Sequence, residues 1–110
     1  MELFFWLLVG HGLADYPLQG DFLARGKNHK SPIPGIPWYQ CLFWHSLIQG
    51  GMVALITGSV LLGVLETIAH AITDYTKSEG KISLNEDQYI HISFKAIWAL
   101  LIILKIVVIQ

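Results

Sequence analysis

Across residues 39–72 the only formal charge is Glu66. A spanning helix takes about 20 mostly apolar residues to cross a hydrocarbon core of about 30 Å, so this run is too long for one crossing and suits two. Thr57, Gly58 and Ser59 interrupt it with a small polar cluster that turns a chain readily. The expectation is a helical hairpin, about 38–56 and about 60–77. Composition agrees with the solvent this implies. Apolar and aromatic residues make up 54% of the 110 residues, charged residues 14%, and mean hydropathy is +0.53. Water-soluble domains run at about 45–50% apolar and about 25% charged. So many apolar residues exclude a disordered chain. A net charge of −1 lacks the basic footprint of a nucleic-acid binder. A lone cysteine, Cys41, excludes an internal disulfide framework.

Two further spans complete the reading. One covers about 87–108, with Lys105 near its end, where the stem reaches the interface. The other covers about 2–18, apolar at first and then polar where it faces a bundle. The N-terminal stretch has neither a positive leader nor a convincing cleavage site, so it reads as a helix rather than a signal peptide. The expected fold is all-α, a single-domain integral membrane four-helix bundle with both termini on the periplasmic side. Arg25, Lys27 and Lys30 in the first long loop (19–37), with Lys77 and Lys81 in the second, place both loops in the cytoplasm. Phe4, Phe5 and Trp6 anchor the outer end; Trp38, Tyr39, Phe43 and Trp44 anchor the inner one. Pro32, Pro34 and Pro37 keep the first loop irregular after a short surface helix near 21–29.

Against that apolar background the His and Asp residues are the anomaly. Three of the four Asp residues lie four positions from a His: His11 and Asp15, His70 and Asp74, Asp87 and His91. Positions i and i+4 share one helix face, the spacing by which two side chains of one helix reach a single metal. His45 adds a seventh ligand-type group. In the expected topology all seven fall at one depth, at the cytoplasmic end. Glu66 and Lys95 extend two of these stripes inward by one turn, and antiparallel neighbours would level Glu66 with Lys95 as an ion pair flooring a polar pocket. The halves also form a weak parallel repeat: His11-x3-Asp15 matches His70-x3-Asp74, and Cys41-x3-His45 stands where Asp87-x3-His91 does. Cys41 becomes a candidate ligand on that basis, although a lone membrane cysteine ordinarily packs as a small apolar residue.

These motifs, from His11 to Gln19, at His45, from His70 to Lys77 and from Asp87 to His91, resemble those of a bacterial and phage family of small integral membrane proteins of unknown function. The resemblance spans roughly 5–100 and implies a multi-pass membrane protein. More loosely, it is similar to small membrane-bound metal-dependent hydrolases with scattered His and Asp.

Three functional classes remain. A metal-dependent hydrolase would bind one or two divalent transition ions, Zn, Mn or Fe, through His11, Asp15, His45, His70, Asp74, Asp87 and His91. Asp15, Asp74 and Asp87 would serve catalysis. Gln19, Glu66, Lys77, Gln88 and Lys95 would form the surrounding layer, and Arg25, Lys27 and Lys30 would dock an anionic, lipid-linked phosphoester. Alternatively, the chain of ionisable groups suits a proton or metal-ion carrier. The third class is a small membrane interaction protein whose polar or metal layer is purely structural, a set of interhelical hydrogen bonds each worth about 0.6 kcal/mol. Gly50, Gly51, Ala54, Gly58 and Gly63 allow close helix approach within or between protomers, which leaves a homo-oligomer open. His29, in the Lys-rich loop, reads as a solvated surface residue. No serine-nucleophile set is evident, since Ser46 points about 100° away from His45 on a helix.

Overall fold

A computed structural model describes residues 2–106. It contains five helices in the order α1 (Glu2–Asp15), α2 (Gly20–Gly26), α3 (Trp38–Thr57), α4 (Val60–Ser78) and α5 (Leu84–Ile103), and no strand among the described residues. The four long helices form a ring in which α3 packs on α4 and α1, and α5 closes the circle against α4 and α1. The short α2 rests on α3.

Local chemistry sets the boundaries. α1 ends at Asp15, short of the expected 18, because Pro17 restricts the residue before it and has no N–H to continue the helix. Gly58 closes α3 with φ at +75°, and the Ser59 side chain caps α4 by accepting from the Leu62 N–H. α5 begins three residues before the expected start. There Ser83 and Glu86 form a reciprocal capping box. It ends at Ile103, and the expected continuation to 108 falls partly beyond the described residues.

α3 and α4 approach closely because glycine faces glycine. A side chain at Gly50 would overlap the Gly63 carbonyl and Thr67 Oγ1, and one at Gly63 would sit 2.7 Å from the Gly50 carbonyl oxygen. This places His45 on α3 within reach of His70 on α4.

The interior divides along the bundle. One end holds a compact apolar plug of Leu7, Val53, Leu62, Trp98 and Ala99. Elsewhere the interior is mostly polar: His11, Asp15, Lys27, His45, Gln49, Glu66, His70, Asp74, Asp87, His91 and Lys95 are all buried, with Ala14, Cys41 and Leu42 among them. The outward faces carry large apolar side chains, with Leu55 80%, Val60 63% and Ile72 62% exposed. Even so, no helix among the described residues is long and apolar enough to cross a membrane, so four spans do not follow from the helices taken singly. α1 has only 14 residues. In α3, α4 and α5 the inward polar side chains lower the mean hydropathy of helices whose outer faces are apolar.

Candidate metal centre

Each long helix delivers one polar stripe to a common point. α1 contributes His11 and Asp15, α3 His45 and Gln49, α4 Glu66, His70 and Asp74, and α5 Asp87, His91 and Lys95. The innermost group is Asp15 Oδ1, His45 Nε2, His70 Nε2 and Asp74 Oδ2. His45 Nε2 lies 3.1 Å from His70 Nε2, 3.2 Å from Asp15 Oδ1 and 3.4 Å from Asp74 Oδ2. His70 Nε2 lies 3.5 Å from Asp74 Oδ2 and 3.7 Å from Asp15 Oδ1. An ion bonded tetrahedrally at about 2.0–2.1 Å sets its ligand atoms about 3.3–3.4 Å apart, the middle of that range.

The surroundings orient these ligands. His70 Nδ1 is 3.2 Å from Glu66 Oε2, so the ring donates there and turns the Nε2 lone pair to the centre. Glu66 in turn accepts from Lys95 Nζ at 2.8 Å and from Trp98 Nε1 at 2.8 Å. The expected Glu66–Lys95 pair is therefore present, one turn below the ligands. Gln49 donates to Asp15 Oδ1 at 3.2 Å, and Lys27 Nζ donates to Asp74 Oδ2 at 2.6 Å.

A second group adjoins the first. His91 Nε2 lies 3.1 Å from Asp74 Oδ1 and 3.3 Å from Asp87 Oδ1, with the His70 and His91 rings stacked at 3.8 Å. Asp87 Oδ1 is buried without a hydrogen-bond partner. Gln88 joins the remaining members: its Oε1 accepts from the His11 Nε2–H at 2.9 Å, and its Nε2 donates to Asp15 Oδ2 at 2.7 Å.

Charge points the same way. Lys95 balances Glu66 and Lys27 balances Asp74, but Asp15 and Asp87 have only histidines within ion-pair distance. A buried carboxylate with no lysine or arginine beside it, as Asp15 is, is costly, and a divalent ion would supply compensating charge there. Three overlapping sets of buried groups could hold a metal ion: Asp15, His45 and His70; Glu66, His70 and His91; and Asp74, Asp87 and His91.

The family follows from the sequence itself. A family model described as "Protein of unknown function (DUF3307)" matches residues 3–110. The chain belongs to that family. No curated protein and no solved structure matches the chain.

Several residues of this DUF3307 chain sit elsewhere than the sequence suggests. Lys27, expected on a docking surface, is buried against Asp74. Arg25 is exposed and paired with Asp21 at 3.0 Å, and Lys30 lies 3.5 Å from Glu79. His29 is not a solvated residue. It pairs with Glu79 and stacks on Tyr75 at 3.9 Å, strapping the first loop to the end of α4. The imidazole beside it holds the Glu79 carboxyl below its ordinary value. Gln19 donates to the Asp15 backbone carbonyl at 2.8 Å. Lys77 is half-buried, with no hydrogen bond to the cluster among the described residues. Cys41 is buried against Gly26 of α2, apart from the metal-type groups. Gln49 and Trp98 escaped the sequence reading, although both follow its own spacing, four residues after His45 and three after Lys95.

Proposed function

We propose that this chain is a membrane-embedded metalloprotein that binds a divalent transition ion through Asp15, His45, His70 and Asp74 and hydrolyses a lipid-linked phosphoester. The observation that carries the metal is the convergence of Asp15 and Asp74 on the paired His45 and His70 Nε2 atoms at 3.1–3.7 Å, with His70 held from behind by Glu66. Mixed imidazole and carboxylate ligation suits Zn, Mn or Fe.

The membrane setting rests on the distribution of polarity. A water-soluble domain places its large apolar side chains inside, whereas this bundle turns Ile68, Ile72 and Leu100 outward and keeps Asp15, Glu66, Asp74 and Asp87 within. Ionisable groups facing a bundle interior are the pattern for helices in lipid. The molecule measures 45 × 24 × 21 Å, and its long axis matches a bilayer of about 40–45 Å including headgroups. Lys and Arg in both long loops put the metal end at the cytoplasmic face, where the exposed Arg25 and Lys30 meet anionic headgroups.

Hydrolysis rests on the carboxylates and on metal chemistry: a bound ion with a free position lowers the pKa of its water to about 7. Four protein ligands fill a tetrahedral zinc, so the burial of this set favours a second reading, a structural ion that fastens the helices. Metal-loaded protein in mixed micelles, offered a lipid phosphomonoester and a lipid pyrophosphate, separates the two. Hydrolysis predicts release of inorganic phosphate that Asp87→Asn abolishes while the helical content persists. No release from metal-loaded wild type on either lipid contradicts the hydrolase and leaves the fastening role.

A further inference from the structure

The innermost four ligands use only one oxygen each from Asp15 and Asp74. The other oxygen of Asp74 turns to His91 and that of Asp15 to His11 and Gln88, and part of the first group's geometry recurs there. Exchanging α1 with α4 and α3 with α5, as the internal repeat pairs them, carries Asp15 onto Asp74, His11 onto His70 and His45 onto His91. Two of the distances follow the exchange, whereas the His45–Asp74 and His70–Asp15 approaches have no counterpart among the ion pairs of the described residues. Asp15 Oδ1 to His45 Nε2 is 3.2 Å, and Asp74 Oδ1 to His91 Nε2 is 3.1 Å. His70 Nε2 to Asp74 Oδ2 is 3.5 Å, and His11 Nε2 to Asp15 Oδ2 is 3.7 Å. The ring of helix contacts is consistent with the same exchange, since α1 with α3 becomes α4 with α5, and α3 with α4 becomes α5 with α1.

Resting on the proposed metal centre, we infer that the bundle holds a second divalent ion at Asp74 Oδ1, Asp87 and His91, with Asp74 bridging the two ions. The repeat is broken at one point that matters. Asp87 stands where the first half has Cys41, and this carboxylate, 1% exposed with its Oδ1 unpartnered, is the ligand that the first half lacks. Three protein ligands leave a fourth position open, the arrangement of hydrolytic rather than structural zinc. Gln88, whose Nε2 lies 3.4 Å from Asp87 Oδ2, and His11, whose ring centre is 5.4 Å from that of His91, are the polar neighbours of this group. The first ion is then the closed member of the pair and the second is the reactive one.

The test is metal stoichiometry on detergent-purified protein reconstituted with Mn or Zn, in wild type, His45→Ala and His91→Ala. Two equivalents in the wild type and one in each variant support the second site. One equivalent in the wild type, lost with His45→Ala and kept with His91→Ala, overturns the second site and leaves the first. No bound metal in the wild type overturns both readings. Because either variant can fail to fold, paramagnetic resonance of the Mn-loaded wild type gives an independent reading. Two carboxylate-bridged ions give an exchange-coupled signal; an isolated six-line signal at saturation contradicts the inference.

Discussion

His70 shows how one side chain is oriented at the proposed metal centre. Its Nδ1 faces Glu66, which is itself held by the Lys95 ammonium and the Trp98 indole. Loss of such an outer partner typically weakens metal binding about 10–100-fold. Glu66→Gln is therefore expected to reduce affinity by that factor, read by competition with a chelator of known strength. It also leaves Lys95 buried beside a neutral amide, and breaking a buried pair costs about 3–5 kcal/mol. The double variant Glu66→Gln with Lys95→Met should recover part of that stability but none of the affinity. Unchanged affinity in Glu66→Gln would remove the orienting role. The sequence disclosed this chain of residues in part: Glu66, His70 and Lys95 follow helical spacing and antiparallel levelling. Lys27 was read as a surface cation, since its approach to Asp74 depends on how α2 folds back on α3, which no local pattern encodes.

The packing of α3 on α4 fixes the distance between His45 and His70, and Gly50 controls it. A methyl group there meets the Gly63 carbonyl and Thr67 Oγ1, while at Gly51 it meets nothing within 4 Å. Gly50→Ala should destabilise the bundle by about 1–3 kcal/mol through overpacking. Gly51→Ala should be neutral or stabilising by up to about 1 kcal/mol, from helix propensity. Denaturant titration of both variants in detergent measures the difference, and equal stabilities would contradict the close approach. The hairpin was legible because a long uncharged run broken by Thr57, Gly58 and Ser59 has few other ways to fold. The start of α5 was legible too, since Ser83 and Glu86 have capping-box spacing, but the apolar pattern drew attention to Asp87 instead. The end of α1 turned on Pro17, which the weight of the apolar run before it obscured.

At the scale of the molecule, the apolar exterior and polar interior must share one explanation. Ile68 lies near the middle of α4 and is 53% exposed. In a bilayer, Ile68→Arg costs at least about 2.5–3.5 kcal/mol and should reduce the membrane-inserted fraction. Were that face in water, the same change would be close to neutral. Recovery of wild type and variant in carbonate-washed membranes distinguishes the settings, and equal recovery in the soluble fraction would contradict the bilayer assignment. No helix among the described residues is long and apolar enough to cross a membrane, and the buried His, Asp, Glu and Lys side chains contribute to that low mean hydropathy.

The central claim is that the buried His and Asp residues are metal ligands, and X-ray absorption at the metal edge tests it most directly. Detergent-purified protein reconstituted with zinc should show a first shell of nitrogen and oxygen at about 2.0–2.1 Å, without sulfur. Imidazole scattering beyond that shell should diminish in His70→Ala. A sulfur shell, a shell without imidazole scattering, or wild-type protein that retains no metal would contradict the account.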